Sequence, residues 1–536
     1  MMNRTLLIAA LSLCACTPAP IPPGISGISL KMNPNERAPL AGVLEYTSDS
    51  EVRPRFILSA EGDAEIIIDD APAAMSGPTP LLGMRPDKEY TVTVSFDSTA
   101  GGSTTEGGTF TLKTPPLPDD FPPLEVTTLR PARMEPGYHF IPVMRWTKRG
   151  PDREYGVVFA LDAGGEVVWY FRTDETINDV KRLPNGDLIY LASRNGRMAQ
   201  INKLGDLVKH WHSTGVPKDK VPSDSVPVDC DTFHHDFVLM DDGKFLMLSS
   251  EAREYENYPT SETDPDAERA TATLIGDVVV EFDHEGAVSR RWNLLDVLDP
   301  YRISHGSLGT GFWKKVYEDL LDEPGKDWAH ANSLVYDASD DSVIISLNHQ
   351  SAVIKMRLAD SSLVWIHGDP GGWKEPWSDH LLKPVGELTW TSKQHAAELM
   401  PSGNVLIFDN GGHRGPPFTP DQPEEEKYSR AVEFKIDEEA MTTEEVWSYG
   451  SLDTDHFYSS FLCDVDLQPT TGNVIVTDGA RVRRAPGDKG DTPGSGRQWA
   501  HIFEVSRETG RKVFELQIEG ENGWAVYRSE RFNTLY

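Results

Sequence analysis

Three histidines, His235, His330 and His395, each open a short apolar run that leads into a turn. The runs read His235-Asp-Phe-Val-Leu-Met-Asp-Asp-Gly243, His330-Ala-Asn-Ser-Leu-Val-Tyr336 with a longer turn after it, and His395-Ala-Ala-Glu-Leu-Met-Pro-Ser-Gly403. Asn178 and Cys463 lead two further segments of the same form, ending at Gly186 and Gly472. Neutral imidazole is a nucleophile, a general base and a metal ligand near neutral pH. A lone histidine is usually a satisfied structural residue. Three at one repeated position are different, because random placement of the 15 histidines would rarely choose it. The spacing therefore points to one shared site, and strand alternation selects His235 over His234 as the member that faces it.

Three imidazoles around an open position would suit zinc. No His-x-His pair and no carboxylate is read in the same ring, however, and the neighbours at inward positions are amides such as Asn332. Amide donors suit an anion with several oxygens. The mixture favours sulfuryl or phosphoryl transfer with no metal and no cofactor, where positioning and charge stabilisation supply most of the catalysis. A metal-dependent hydrolase using the same histidines and a non-catalytic binding propeller are the competing readings.

Residues so far apart in sequence meet only if the chain repeats. A recurrent unit consists of an apolar strand, a polar turn and a second strand often ending in tryptophan. It appears at Gly156 to Phe171, Met198 to His212, Asp277 to Asn293, Ala352 to Gly368, Ala431 to Gly450 and Ile502 to Ile518. Six hairpins predict a six-bladed β-propeller over residues 131–536, with the leading residues converging at the mouth of its central channel. Trp524 to Phe532 is expected to complete the first blade. Loops at Glu251 to Ala272, Pro300 to Asp327 and Gly415 to Lys427 are expected to shape the pocket. Upstream, residues 25–114 alternate apolar and polar positions between turn signals, which predicts a small β-sandwich. Met84-Arg-Pro-Asp-Lys-Glu-Tyr90, followed by Thr-Val-Thr-Val, resembles the tyrosine corner of fibronectin type III domains. The fold class is thus all-β, a six-bladed propeller preceded by a fibronectin type III-like sandwich, with residues 115–130 as linker.

The run Asp327-Trp-Ala-His330-Ala-Asn332-Ser, then Tyr336-Asp-Ala-Ser-Asp-Asp-Ser342, then His349-Gln-Ser-Ala-Val-Ile-Lys355 resembles the signature of bacterial periplasmic arylsulfate sulfotransferases. Gln394-His395 and Phe408-Asp-Asn-Gly411 extend the similarity, which covers roughly Pro131 to Phe532. The resemblance implies nucleotide-independent transfer of a sulfuryl group from an aryl sulfate to a phenol by a ping-pong route through a sulfohistidine. It makes His395 the nucleophile and gives His330, Asn332 and His235 the sulfuryl oxygens and the proton. One position departs from that pattern: Asn348 stands where the family commonly has an arginine before His-Gln-Ser-Ala. An arginine would contact the sulfuryl oxygens bidentately, whereas asparagine offers a neutral donor, a loss of a few kcal/mol in the transition state. Lys393 and Arg414 are the candidate replacement cations by motif, and His413 is a further candidate lining residue.

The first residues, Met-Met-Asn-Arg and then an apolar run from Leu6 to Leu13, read as a signal peptide over residues 1–15, too short to span a bilayer. Leu13-Cys-Ala-Cys16 resembles a bacterial lipobox, which would lipidate Cys16 and leave residues 16–24 as a Pro-rich tether. Thr17 after that cysteine favours the outer membrane, so the expected address is periplasmic and lipid-anchored. Oxidation would there permit a disulfide between Cys230 and Cys463, though two buried thiols fit equally well. Lys plus Arg total 51 against 84 Asp plus Glu, a formal net charge of −33, which excludes nucleic acid as a natural partner. The expected partners are small molecules, an aryl sulfate donor and a phenolic acceptor. Oligomeric state stays open, with sandwich edges that could pair into a homodimer.

Overall fold

A computed structural model describes residues 23–146, 155–216, 221–483 and 497–536. The signal segment and Cys16 lie outside the described residues. Strands dominate, and Cα packing divides the chain into two compact units. One contains Gly42–Leu81 and Lys88–Lys113. Its sheet runs Ile25–Met32, Gly42–Ser59, Glu89–Ser98, Thr104–Lys113, with three short strands paired to the 18-residue strand Gly42–Ser59. Tyr90, the tyrosine of the corner motif, is buried in this unit.

The larger unit, mainly Thr114–Tyr536, is a six-bladed β-propeller: among its described residues, six separate sheets of four or five strands succeed one another along the chain. In the first three blades an Asx-type turn sets the register. Asp162, Asn202 and Asp283 each accept two backbone N–H groups from the turn that follows them, as a short acceptor side chain at a turn start should. The tryptophan that ends the next strand then ties its blade to the following one. Trp169 Nε1 donates to Lys203 O, Trp211 to His284 O, Trp292 to Leu358 O and Trp365 to Glu438 Oε1, all at 2.9–3.0 Å. In the fifth blade Trp447 lies under the Arg507 guanidinium instead. These indoles are the wedges between sheets, and removing one of the fully buried ones to alanine costs on the order of 3–5 kcal/mol.

Closure comes from both ends of the unit. Trp524–Ala525 and Glu530–Phe532 pair with Tyr138–Arg145 in the first blade. The segment expected to be a linker corrects itself at the other end: Leu124–Leu129 is a strand, paired with Lys512–Ile518 in the sixth blade. Leu124 and Val126 alternate inward and pack on that core, which a solvated linker would not do.

The innermost strands are Asp179–Arg182, Phe237–Leu239, Ala331–Asp337, His395–Leu399 and Asp464–Leu467, and those of adjoining blades pack against one another along most of the ring. The leading residues of the five segments therefore sit at equivalent strand starts. Only the three histidines turn to a common site. Asn178 instead accepts the Ser193 N–H, and Cys463 is buried among Phe408, Phe457 and Phe503. Cys230 belongs to a different core, with Trp211 and Phe233, and both cysteines are free thiols. The possible disulfide is thereby excluded, since each sulfur is held in a separate hydrophobic cluster. Burial pushes the Cys230 thiol up to about 12, so it is unreactive at neutral pH.

The stretch expected to be a loop from Glu251 to Ala272 is a long hairpin arm, Phe245–Tyr258 paired with Ala270–Phe282. At its tip Glu262 accepts the N–H groups of Gly306 and Leu308, which pins the start of the next insertion.

Candidate functional site

The backbone at the strand starts is not regular. His235 and His330 have φ of 54° and 55°, in the left-handed region. The fourth and fifth blades carry bulges at Asn332 and Ala396, where the pairing skips a residue. Both devices re-aim side chains at the cost of local strain. They also break the alternation that would have turned His234 away. His234 Nδ1 lies 2.9 Å from His235 Nδ1, so the two rings are in series.

Their hydrogen bonds fix the protons. His234 Nε2 is 2.8 Å from the Ser249 carbonyl and must donate to it, which leaves its Nδ1 as an acceptor for the His235 Nδ1–H. His235 Nε2 is then a free lone pair. His395 is set in the same tautomer by Asn410. The Asn410 amide donates to Ser459 O and Leu462 O, so its carbonyl oxygen is the atom 2.7 Å from His395 Nδ1. His395 therefore carries its proton on Nδ1 and presents Nε2 unprotonated. Burial, together with the His330, Lys393 and Arg528 charges nearby, pushes its pKa down to about 3, so it is a neutral imidazole at any ordinary pH.

His330 differs because it has a carboxylate partner. Its Nδ1 is 2.7 Å from Asp327 Oδ2, while Asp327 Oδ1 accepts from Trp313 Nε1 at 2.9 Å. Burial works against the Asp327 charge, but the His330 and His349 imidazoles hold its carboxyl at about 2. The expectation that no carboxylate belongs to the ring is corrected here: Asp327, three residues before His330, swings back onto it. His349 is a fourth imidazole that spacing did not mark. It stacks on His330 with centroids 4.7 Å apart, and its Nδ1 donates to the Asp327 carbonyl. His349 does stand in the quoted signature run, which is the one sequence signal that marks it.

Asp327, His330 and His349 bring three potential metal-ligand atoms within 4.8 Å of one another. The two ring nitrogens that face the carboxylate are both hydrogen-bonded, one at 2.7 Å to Asp327 Oδ2 and one at 2.6 Å to Asp327 O. A cation there would have to displace both protons. The arrangement is a carboxylate–histidine dyad, and the same Nδ1 hydrogen bonds would orient the Nε2 atoms of His330 and His349 for a cation on their far side.

The amides have other duties than the substrate contacts expected of them. Asn332 Nδ2 donates to Gln394 O at 2.8 Å and Asn348 Nδ2 to Lys393 O at 2.6 Å. Together they clamp the backbone just ahead of His395, and Gln394 adds bonds to Leu347 O and Ala352 O. Below, Tyr527 sets its ring against His235 and His395 and gives its hydroxyl to Asn332 O, which also accepts from Arg528. Arg528 is itself neutralised by Asp236 at 2.8 Å. Tyr527 and Arg528 come from the chain end, where no motif pointed to a site.

Of the two candidate cations, the structure ties up one. Arg414 bonds Asp409 Oδ2, Trp390 O and Tyr428 O and lies over the Tyr428 ring. Lys393 is different: its Nζ donates to His305 O at 2.9 Å and has no carboxylate within ion-pair distance among the described residues. Burial, offset in part by Asp327 and Glu262, pushes the Lys393 ammonium down to about 7. His413 stacks on His305 at 4.4 Å and belongs to the rim near Lys393.

Residues 133–528 match the family model described as Arylsulfotransferase (ASST). The arylsulfate sulfotransferase AssT of Escherichia coli O6:H1 is 29% identical over 414 residues, 67% of this chain and 60% of that one. The arylsulfate sulfotransferase AssT of Lelliottia amnigena is 30% identical over 283 residues, 46% of this chain and 43% of that one. The match thus spans about half the length of these curated relatives. Among solved structures, the periplasmic gluconolactonase PpgL of Pseudomonas aeruginosa aligns with a TM-score of 0.36 and 11% identity, over 73% of this chain and 98% of that one.

Proposed function

The chain belongs to the arylsulfotransferase family, and from that premise we propose that it moves a sulfuryl group from an aryl sulfate ester to a phenolic acceptor, without a nucleotide, through a covalent sulfohistidine at His395. The observation that carries this reading is the fixed tautomer of His395: Asn410 holds the proton on Nδ1 and leaves Nε2 free, with the Tyr527 ring set against both His395 and His235. In the first half-reaction the Nε2 lone pair attacks sulfur, the bond from sulfur to the aryl oxygen breaks, and the departing phenolate takes a proton from His330 Nε2. The Asp327 carboxylate stabilises the positive charge that His330 carries before it gives up that proton. In the second half-reaction the acceptor oxygen attacks sulfur, the N–S bond returns its electrons to His395, and the acceptor proton passes to His330. Asn332 and Asn348 act through the backbone of residues 393 and 394 and are positioning residues in this scheme.

The test is a rapid quench. Protein washed with a chelator and mixed with an aryl sulfate is expected to gain one sulfuryl group, located at His395. Hydrolysis that stops on chelation and returns with zinc would instead establish the metal-dependent reading that the Asp327, His330 and His349 grouping offers. Binding of the ester with neither labelling nor turnover would leave only a binding propeller.

Lys393 supplies the cation for the sulfuryl oxygens in place of the arginine that Asn348 replaces. Its ammonium form is the active one, so the assistance is present below about pH 7 and lost as pH rises through that value. The labelling rate, which does not depend on acceptor ionisation, is expected to fall above neutrality. In a Lys393→Arg variant the plateau is expected to extend toward higher pH, because guanidinium keeps its charge. Superimposable pH profiles for the two proteins would remove Lys393 from this role.

The signal segment, the lipidated Cys16 and a periplasmic, outer-membrane address are proposed with this function, supported by the lipobox-like sequence.

A further inference from the structure

The insertion from Pro300 to Asp327 is not the plain polar loop its length suggests. Tyr317 N donates to Trp313 O at 3.1 Å and Leu321 N to Tyr317 O at 3.0 Å, so residues 313–321 form two successive turns, each closed by a bond between residues four apart. Side chains four apart then share a face. One face, Trp313 and Tyr317 with Leu321 beside them, packs on Ile275. Trp313 bonds Asp327, and the Tyr317 hydroxyl lies within bonding distance of Ser250 Oγ and Asp231 Oδ2, so that face is anchored. The other face carries Phe312, Val316 and Leu320, again four apart, and they are 48%, 45% and 65% exposed.

Single exposed apolar residues are ordinary, but three aligned ones form a stripe that costs free energy to hydrate and marks a binding surface. Its inner end is fixed by contact with the site: the Phe312 ring stacks on His235 at 5.3 Å and 26° and meets His330 edge-on at 4.6 Å. A phenol whose hydroxyl reaches the imidazoles therefore finds Phe312 beside its ring. Anything attached to the far side of that ring is led outward along Val316 and Leu320.

We propose that the Phe312, Val316 and Leu320 stripe is a specificity surface for extended aromatic acceptors, phenols with a second linked or fused apolar ring, in preference to single-ring phenols. The proposal rests on the sulfuryl-transfer reading and adds the acceptor class to it. It is tested on the full chain with one aryl sulfate donor and two acceptors, phenol and 4-phenylphenol, whose second ring continues the axis of the first. Wild-type kcat/KM is expected to favour 4-phenylphenol by tenfold or more. A Val316→Ser/Leu320→Ser double variant, whose changes lie on the exposed face and spare the anchored one, is expected to lower that ratio by about tenfold. An unchanged ratio would overturn the proposal. So would an unchanged ratio accompanied by conversion of a dimer to a monomer in light scattering, since the stripe would then cover a second copy of the chain. If the wild-type protein sulfated neither phenol, the transfer reading itself would fall, an outcome separate from a flat selectivity ratio.

Discussion

Replacing His395 with asparagine is expected to abolish covalent labelling and to lower transfer by on the order of 10⁴-fold or more, the scale seen when a covalent nucleophile is removed from a site whose other parts remain. The substitution is chosen for what it keeps. An asparagine amide can still donate to Asn410 Oδ1, so the bracket from Ser459 and Leu462 through Asn410 has a partner, and the bulge at Ala396 is untouched. What disappears is the Nε2 lone pair. Intact mass after rapid quench reads the label and steady-state turnover reads the rate, while an unchanged thermal midpoint shows that the fourth and fifth blades still pack. Turnover within tenfold of wild type would remove His395 from the covalent step. Retained labelling at another histidine would transfer the role to that residue.

The second large effect is expected from Asp327→Asn, a fall in turnover of roughly 10⁴-fold, comparable with the loss when the carboxylate that orients a catalytic histidine is made an amide. The carboxylate accepts from both sides, from His330 Nδ1 on one oxygen and Trp313 Nε1 on the other. An amide cannot accept from both. If its NH₂ faces His330, the imidazole must move its proton to Nε2 and loses the lone pair that receives the acceptor proton. If the NH₂ faces Trp313, two donors are opposed in a buried site and the charge balance for a protonated His330 is still gone. Because the folded state holds Asp327 at about 2 against an ordinary value near 4, the wild-type carboxylate also stabilises the fold above pH 4, a contribution that fades as pH falls toward 2. The variant is therefore expected to show a flatter loss of thermal midpoint on acidification, alongside its low turnover at pH 7. A loss of less than tenfold in turnover would assign Asp327 to structure alone.

Much of this site was legible because a propeller converts sequence repetition into spatial convergence. Equivalent strand starts must lie around one axis, so His235, His330 and His395 could be placed together without any contact being known. The tryptophan closing five of the six hairpins was legible for the same reason, as one wedge repeated between blades. Other parts were illegible for definite physical causes. The reading of His234 assumed regular alternation, and the positive φ at His235 cancels it. Asn332 looked inward by alternation, but it is the bulged residue and turns to Gln394 O. Asp327 escaped because it lies outside the repeated segment and reaches His330 only through the path of the chain between them. Asn410, in a different strand connection from His395, shows nothing in sequence of the two carbonyls that orient its amide.

The division between the two levels follows from range. The sequence by itself determined the repeat, the blade count, the identity of the converging residues and the family, because these depend on periodicity and on residue types at fixed offsets. Only the tertiary structure decided which nitrogen of His234, His235 and His395 carries its proton, that Arg414 is tied to Asp409 while Lys393 has no carboxylate at ion-pair distance among the described residues, that Cys230 and Cys463 stay apart, and that Phe312 packs against two of the histidines. Each of those depends on hydrogen bonds and contacts between residues remote in the chain, and such partners exist only once the six blades have closed.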